Sequence, residues 1–303
     1  MKELSCQQFA QSAISRPIRR FQEEALCVRR AKGREALHQM RVASRRLRNS
    51  LWVLQKIFPR ENFKRWIQGI RKVAKVSGQA RDIDVQIVFL NGFCRRIKNP
   101  RHRAGLKMLA GFLRERRKRI QPRIIQALDD LQRSKIFDDI NSSQKLIFSS
   151  GKKKQKKRLW DLTQKKIVQR LGGLLAFEQY VYSPQKVKKL HETRIAAKHL
   201  RYTLEGFALL YGPAIQSFID SARDIQRILG ELHDYDVWIQ TLPRFMARQH
   251  RDQNHKDALI ELREHCQRER AQAYKKFVKL WESQRSQRTW NQLAHVVTSP
   301  QHQ

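Results

Sequence analysis

Cysteine is scarce in this sequence. Cys6, Cys27, Cys94 and Cys266 are scattered, with no CxxC pair. That excludes the disulfide framework of a small secreted domain and predicts reduced thiols in a cytosol. Proline and glycine are also few, with eight and twelve residues. Between them apolar residues recur at intervals of three and four rather than two, which predicts an all-α chain. No uncharged run is long enough to span a bilayer, and the opening stretch MKELSCQQFAQSAISRPIRR lacks the apolar segment of a secretory signal. The expectation is a soluble cytoplasmic protein with no membrane partner. The chain has no G-x-S-x-G, no phosphate-binding P-loop, no H-E-x-x-H and no glycine-rich dinucleotide fingerprint. His191 and His199 stand too far apart for a metal pair on one helical face. No nucleophile has an identifiable base, so a binding protein is expected rather than an enzyme, with no cofactor and no metal.

Acidic residues are few relative to basic ones. Only 27 Asp and Glu oppose 64 Lys and Arg, leaving a formal charge of +37. Such a field repels itself and points to an anionic partner: nucleic acid, an anionic membrane face or polyphosphate. The length of 303 residues and 40% hydrophobic content suffice for one large core or two small ones.

Against these absences stands a repeat. LHQMRVASRRLRNSLWVL from Leu37 is echoed by LHETRIAAKHLRYTLEGF from Leu190, at an offset of 153 positions. His38 matches His191, Arg41 matches Arg194, Arg45 matches Lys198, and Arg48 matches Arg201. A second block repeats too: SGQARDIDVQIVFL from Ser77 parallels LGELHDYDVWIQTL from Leu229, pairing Asp82 with Asp234 and Asp84 with Asp236. The chain reads as an internal duplication. Its domains are expected at 1–140 and 159–303, joined by an exposed linker over 141–158, where Ser, Gly and Lys concentrate.

Periodic segments predict a helix from Ser183 to Gly212-Pro213, with Ser183 as N-cap, and its twin between Gly33 and Pro59. Further helices are expected near 60–77, 80–97 and 101–132, and near 214–229, 232–249 and 254–282. Additional helices are expected over most of 4–31 and near 158–180. Each half therefore reads as a bundle of about four helices.

On a helix advancing about 100° per residue, His38, Arg41, Arg45 and Arg48 fall on one stripe beside the apolar side of Leu37, Met40, Leu47, Leu51 and Leu54. His191, Arg194, Lys198 and Arg201 repeat it beside Leu190, Leu200, Leu204 and Ala208. Arg71, Lys75 and Arg81 correspond to Arg223, Arg227 and His233 on a neighbouring helix. Without interleaved stacking aromatics, such tracts suit a ligand that is mostly phosphate. Trp52, Trp66, Phe89 and Trp238 fit core positions, and the run Arg116-Arg117-Lys118-Arg119 reads as a solvated face. Asp82, Asp84, Asp234 and Asp236 are read as carboxylates that orient neighbouring cations. A metal site formed by them is the weaker alternative, because residues two apart do not share a helical face.

The doubled H-x-x-R-x-x-x-[RK]-x-L-R motif and the doubled G-x-x-x-D-x-D-V block resemble the CHAD family, the conserved histidine α-helical domain. The resemblance covers nearly the whole chain. It implies two four-helix bundles related by pseudo-twofold symmetry around a basic central groove that binds inorganic polyphosphate. It also implies a cytoplasmic setting, with polyphosphate granules for some members. The ligands it implies are His38, Arg41, Arg45, Arg48, Lys75 and Arg81 in the first half, and His191, Arg194, Lys198, Arg201, Arg227 and His233 in the second. Arg71, Arg223 and the four aspartates are supporting residues. Relatives often carry a fused triphosphate-hydrolysing CYTH domain, for which the two bundles leave no room here, so catalysis is not expected. Polyphosphate-metabolising enzymes and nonspecific nucleic acid are further expected partners. RNA binding and a metal-dependent phosphohydrolase are the alternative functions.

Overall fold

The computed structural model describes residues 9, 11–30, 33–148, 153–248 and 253–299, and all regular secondary structure among them is helical. A π-helical turn, Gln11–Ser15, leads into α1 (Arg16–Arg29). Then follow α2 (Gly33–Val53), α3 (Arg60–Cys94), α4 (Pro100–Arg133) and the short α5 (Ile136–Phe148). The second half runs α6 (Lys153–Leu175), α7 (Val187–Tyr211), α8 (Gln216–Arg248), α9 (Gln253–Ser286) and the short α10 (Thr289–Thr298). Packing order recurs between halves. The pairs α1–α2, α2–α3 and α3–α4 have counterparts in α6–α7, α7–α8 and α8–α9. Among the described residues, no helix is long and apolar enough to cross a membrane.

The sequence signals that set these boundaries are local. Asn99 caps α4 by accepting a hydrogen bond from the Arg101 amide at 2.9 Å, with Pro100 in the first turn. Gly212 ends α7 at φ 61°, a backbone region open to glycine, and Pro213 follows it. Three expectations fail. The breaks expected after residues 77 and 229 do not exist, because α3 and α8 run straight through Gly78 and Gly230. An interior glycine costs a helix only about 1 kcal/mol, which packing on both flanks outweighs. The helix expected from Ser183 begins at Val187 instead, with no side-chain cap. Arg270 Nη2 donates to the Pro184 carbonyl at 2.8 Å and holds that segment as a turn against α9. Of the segment read as an exposed linker, 141–148 belong to α5 and 153–158 to α6; residues 149–152 lie outside the described residues. Gln144 is buried and hydrogen-bonds Ser15, which ties α5 to the start of α1.

The leucines predicted to face the core do so. Leu37, Met40, Leu47, Leu51, Leu54, Leu190, Leu200 and Leu204 are all buried. The halves meet most extensively in two places, α2 against α7 and α4 against α9, with a smaller contact of α2 against α6. At the first crossing Asn49 Nδ2 donates to the Tyr202 carbonyl at 3.0 Å, and Thr203 Oγ1 donates back to Asn49 Oδ1 at 3.3 Å. Asn49 and Tyr202 are 153 residues apart, so equivalent positions of the two sequence repeats touch there. At the second crossing a Cβ on Gly105 would lie 3.1 Å from the His255 backbone, so a residue without a side chain lets α4 and α9 approach.

Candidate functional site

Because α2 and α7 cross at their buried faces, the basic stripes beside those faces converge. His38, Arg41, Arg45 and Arg48 are half-buried, as are His191, Arg194, Lys198 and Arg201. The convergence shows at Lys198, whose ammonium is pushed down to about 8, first by burial and then by Arg194, Arg45, Arg48 and Arg41. Three of those four cations come from the other repeat. Arg41, Arg45, Arg48 and Arg71, with Ala74 and Lys75, line an open groove of ≈ 370 Å³ between α2 and α3.

Arg41, Arg45 and Arg48 are held by groups other than carboxylates. Arg41 Nη1 donates to the Ala74 carbonyl at 2.9 Å and to Ser77 Oγ at 3.4 Å. A Cβ at Gly78 would stand 3.0 Å from that same nitrogen, so the glycine of the repeated block makes room for the guanidinium. Arg45 stacks over the Tyr202 ring at 4.4 Å, and its Nε is buried with no hydrogen-bond partner. Arg48 Nε reaches only the Ser44 carbonyl, at 3.4 Å. Burial, with Arg71, Arg41 and Arg45 adding to it, lowers Arg48 to about 10. The Arg194 Nε is also buried without a partner. Among the described residues, Arg41, Arg45, Arg48, Arg194 and Lys198 form no ion pair.

The second half contributes less than its motif suggests. Arg201 Nε binds Glu205 at 2.8 Å and its Nη1 reaches Gln226 at 3.4 Å. Arg223 pairs with Asp220, and Arg227 with Asp224 and Glu231. Where the first repeat sets His38 beside Arg81, the second sets His191 beside His233, with the two Nδ1 atoms 3.0 Å apart. Burial first, then Arg194, His191 and Lys198, push His233 down to about 4. His38 and His191 are also lowered by burial, helped by Arg81 and Arg194 respectively. One nitrogen of the His191–His233 contact must donate and the other accept, so both Nδ1 atoms cannot carry protons there.

The aspartates divide into two kinds. Asp84 and Asp236 are buried and pair with arginines of the following helices: Arg117 Nε lies 3.1 Å from Asp84, and Arg270 Nε bonds Asp236. They orient those arginines rather than the stripes. Arg117 is therefore no part of a solvated face, unlike Arg116 and Arg119, which are exposed. Asp82 and Asp234 open to solvent at the groove margin, in the field of Arg194 and Arg81. Desolvation by the surrounding protein raises both carboxyls, Asp234 to about 6, opposed first by Arg41 at Asp82 and by Arg194 at Asp234. Among the described residues, no three His, Cys, Asp or Glu side chains gather as a metal-holding group.

Sequence reasoning missed Tyr202, Glu205, Arg117, Arg270, Lys166 and Arg170. Arg117 and Arg270 stand 153 positions apart, so the repeat offset alone could have matched them. Trp52 is only part-buried, and its ring carries Lys166 Nζ at 3.8 Å and Arg170 Cζ at 3.7 Å. Nothing in the local sequence signals that α6 packs there.

The crystal structure of the CHAD domain from the plant Ricinus communis is similar, with a TM-score of 0.67 and 18% identity, covering 99% of this chain and 94% of that one. PptA from Streptomyces chartreusis aligns with a TM-score of 0.66 and 15% identity, over 92% of this chain and all of that one. At these identities the likeness shows a shared fold. No curated protein matches the chain. The CHAD domain family model matches residues 12–243, a span that contains both copies of the histidine motif and both aspartate blocks. The helical fold, the two motif copies and that match together place this chain in the CHAD domain family.

Proposed function

We propose that the protein binds inorganic polyphosphate, without chemistry of its own, in the groove where the two basic stripes converge. The observation that carries this reading is the cluster of Arg41, Arg45, Arg48, Arg194 and Lys198, gathered from both halves and forming no ion pair among the described residues, with Asp82 and Asp234 acting on Arg41 and Arg194 only through the field. Buried or half-buried cations normally sit in ion pairs, because an unpaired charge loses its hydration without return. Burial lowers the pKa of every member, and at Arg48 and Lys198 neighbouring cations lower it further, so the cluster suits a polyanion. Guanidinium forks supply charge-assisted hydrogen bonds to phosphate oxygens, and helix-held side chains lose little freedom on binding.

The aromatic surfaces beside the groove support phosphate over bases. Tyr202 is covered by Arg45, and Trp52 by Lys166 and Arg170, so neither offers a bare face on which a nucleobase would stack. A charge of +37 still gives nucleic acid a nonspecific affinity. Competition binding with polyphosphate and single-stranded RNA at matched phosphate concentration tests the reading. Polyphosphate should displace RNA completely at low excess, and RNA should displace polyphosphate only weakly. Equal mutual displacement would overturn the assignment.

A further inference from the structure

The two sides of the α2–α7 crossing are built differently. On the α1 and α8 side lies a ≈ 550 Å³ cavity lined in part by Arg16, Arg46, Glu205 and Arg223. Glu205 dominates it: besides Arg201 at 2.8 Å, Arg46 and Arg223 each approach it to 3.9 Å. Its Oε2 is buried with no hydrogen-bond partner. On the α6 side, the position equivalent to Glu205 under the 153-residue offset is Trp52, and its ring carries Lys166 and Arg170 at 3.8 and 3.7 Å.

Those two cations have no acidic counterpart. Among the described residues neither Lys166 nor Arg170 forms an ion pair, and Arg170 Nε is buried without a hydrogen-bond partner. An indole face holds a cation but does not cancel its charge. Like charges four apart on one helix repel, so α6 accepts a small cost to keep both. His199 follows Lys198 on α7 and is half-buried between the two regions: burial first, then Arg170, Lys198 and Arg48, lower its pKa to about 4. The first repeat has Ala13 and Pro17 at the positions equivalent to Lys166 and Arg170, so the feature belongs to one side only.

We propose that the surface formed by Lys166 and Arg170 on Trp52 is a one-sided extension of the anion groove: a polyphosphate chain leaving the centre passes His199 and lies over Lys166 and Arg170. On the opposite side Arg201, Arg46 and Arg223 are shared with the Glu205 carboxylate, so less of their charge is free for the chain. This rests on the polyphosphate reading above, and the test separates the two. Lysine acetylation is mapped by mass spectrometry on the full chain, alone, with tripolyphosphate and with long-chain polyphosphate. Of Lys198 and Lys166, tripolyphosphate should protect Lys198 alone, and long-chain polyphosphate should protect both. If long chains protect Lys198 and leave Lys166 as reactive as in the unliganded protein, the extension is wrong and the central groove stands. If neither lysine is protected, both readings fall.

A paired variant, Lys166→Gln with Arg170→Gln, gives a second readout. Long-chain affinity should fall by about tenfold per cation removed. The slope of log affinity against log salt should shrink by about two, and tripolyphosphate affinity should not change. An equal loss for tripolyphosphate, or no loss for either ligand, would overturn the extension.

Discussion

Arg48 and Arg201 occupy the same position of the same motif, and their surroundings are opposite. Arg48 lies among Arg71, Arg41 and Arg45 with only a backbone carbonyl to bond, and its pKa is lowered to about 10. Arg201 is held by Glu205 and Gln226. The contrast extends to the neighbouring helices, where Arg71 and Lys75 line the groove while Arg223 and Arg227 are tied to carboxylates. A repeated motif therefore specifies where cations stand. The acids around them decide which are available to a ligand. In this chain the first half supplies most of the available charge, and the second adds Arg194, Lys198 and a histidine pair.

The largest expected effect comes from inverting the shared centre. Arg45→Glu combined with Lys198→Glu should weaken polyphosphate binding by at least about a thousandfold, since like charges facing a ligand cost several kcal/mol. Reversing the exposed Arg116 and Arg119 should cost far less, and equal losses in titration calorimetry would show that bulk charge carries the affinity. Next in size is a stability effect. Asp84→Ala should cost about 3 to 5 kcal/mol in denaturant unfolding, because it strands Arg117 in a largely buried site. Asp82→Ala, at an exposed position, should change stability by less than about 0.5 kcal/mol.

The third prediction returns to the matched arginines. Arg48→Met should raise the melting temperature of the unliganded protein, by relief of repulsion worth about 0.5 to 2 kcal/mol, while weakening polyphosphate binding roughly tenfold. Arg201→Met should do the reverse: it leaves Glu205 with only the longer 3.9 Å approaches of Arg46 and Arg223, costing about 1 to 3 kcal/mol, with little loss of affinity. Indistinguishable variants would mean that carboxylate pairing does not separate the two halves.

The smallest expected effect is on pH dependence. The histidines have depressed pKa values in the fold, so the unfolded chain binds more protons than the folded one below about pH 6.5. Stability of the unliganded protein should therefore fall as pH drops from that value toward about 4, the range set by His233 and His199, with the raised Asp234 carboxyl at about 6 offsetting part of the loss. Bound phosphate favours the protonated rings, so affinity should rise a few-fold over the same descent. Above about pH 8 the loss of the Lys198 proton should weaken binding. A flat affinity profile from pH 5 to 9 would remove the histidines and Lys198 from the site.

Much of this architecture was legible in the residues. The 153-residue offset located α2 and α7, and helical periodicity separated the leucine face from the basic stripe. Two kinds of feature were not legible. Gly78 and Gly230 looked like helix breaks because propensity is local, whereas packing along the whole of α3 and α8 decides their continuity. Charge pairing was hidden because it depends on tertiary neighbours. Glu205 sits one turn after Arg201 in sequence, yet its reach to Arg46 and Arg223 requires the α2–α7 crossing and α8. Lys166 and Arg170 meet Trp52 only because α6 packs beside α7 and α2. Arg117, in a run of four basic residues, gives no local sign that it alone turns inward to Asp84.

The central claim is that stripes from both repeats form a single site. Titration calorimetry with tripolyphosphate on the parent protein, Arg45→Gln and Lys198→Gln tests it most directly. The account predicts one tight equivalent per chain, weakened about tenfold or more by either substitution. Two equivalents per chain, with each substitution deleting one and sparing the other, would contradict it.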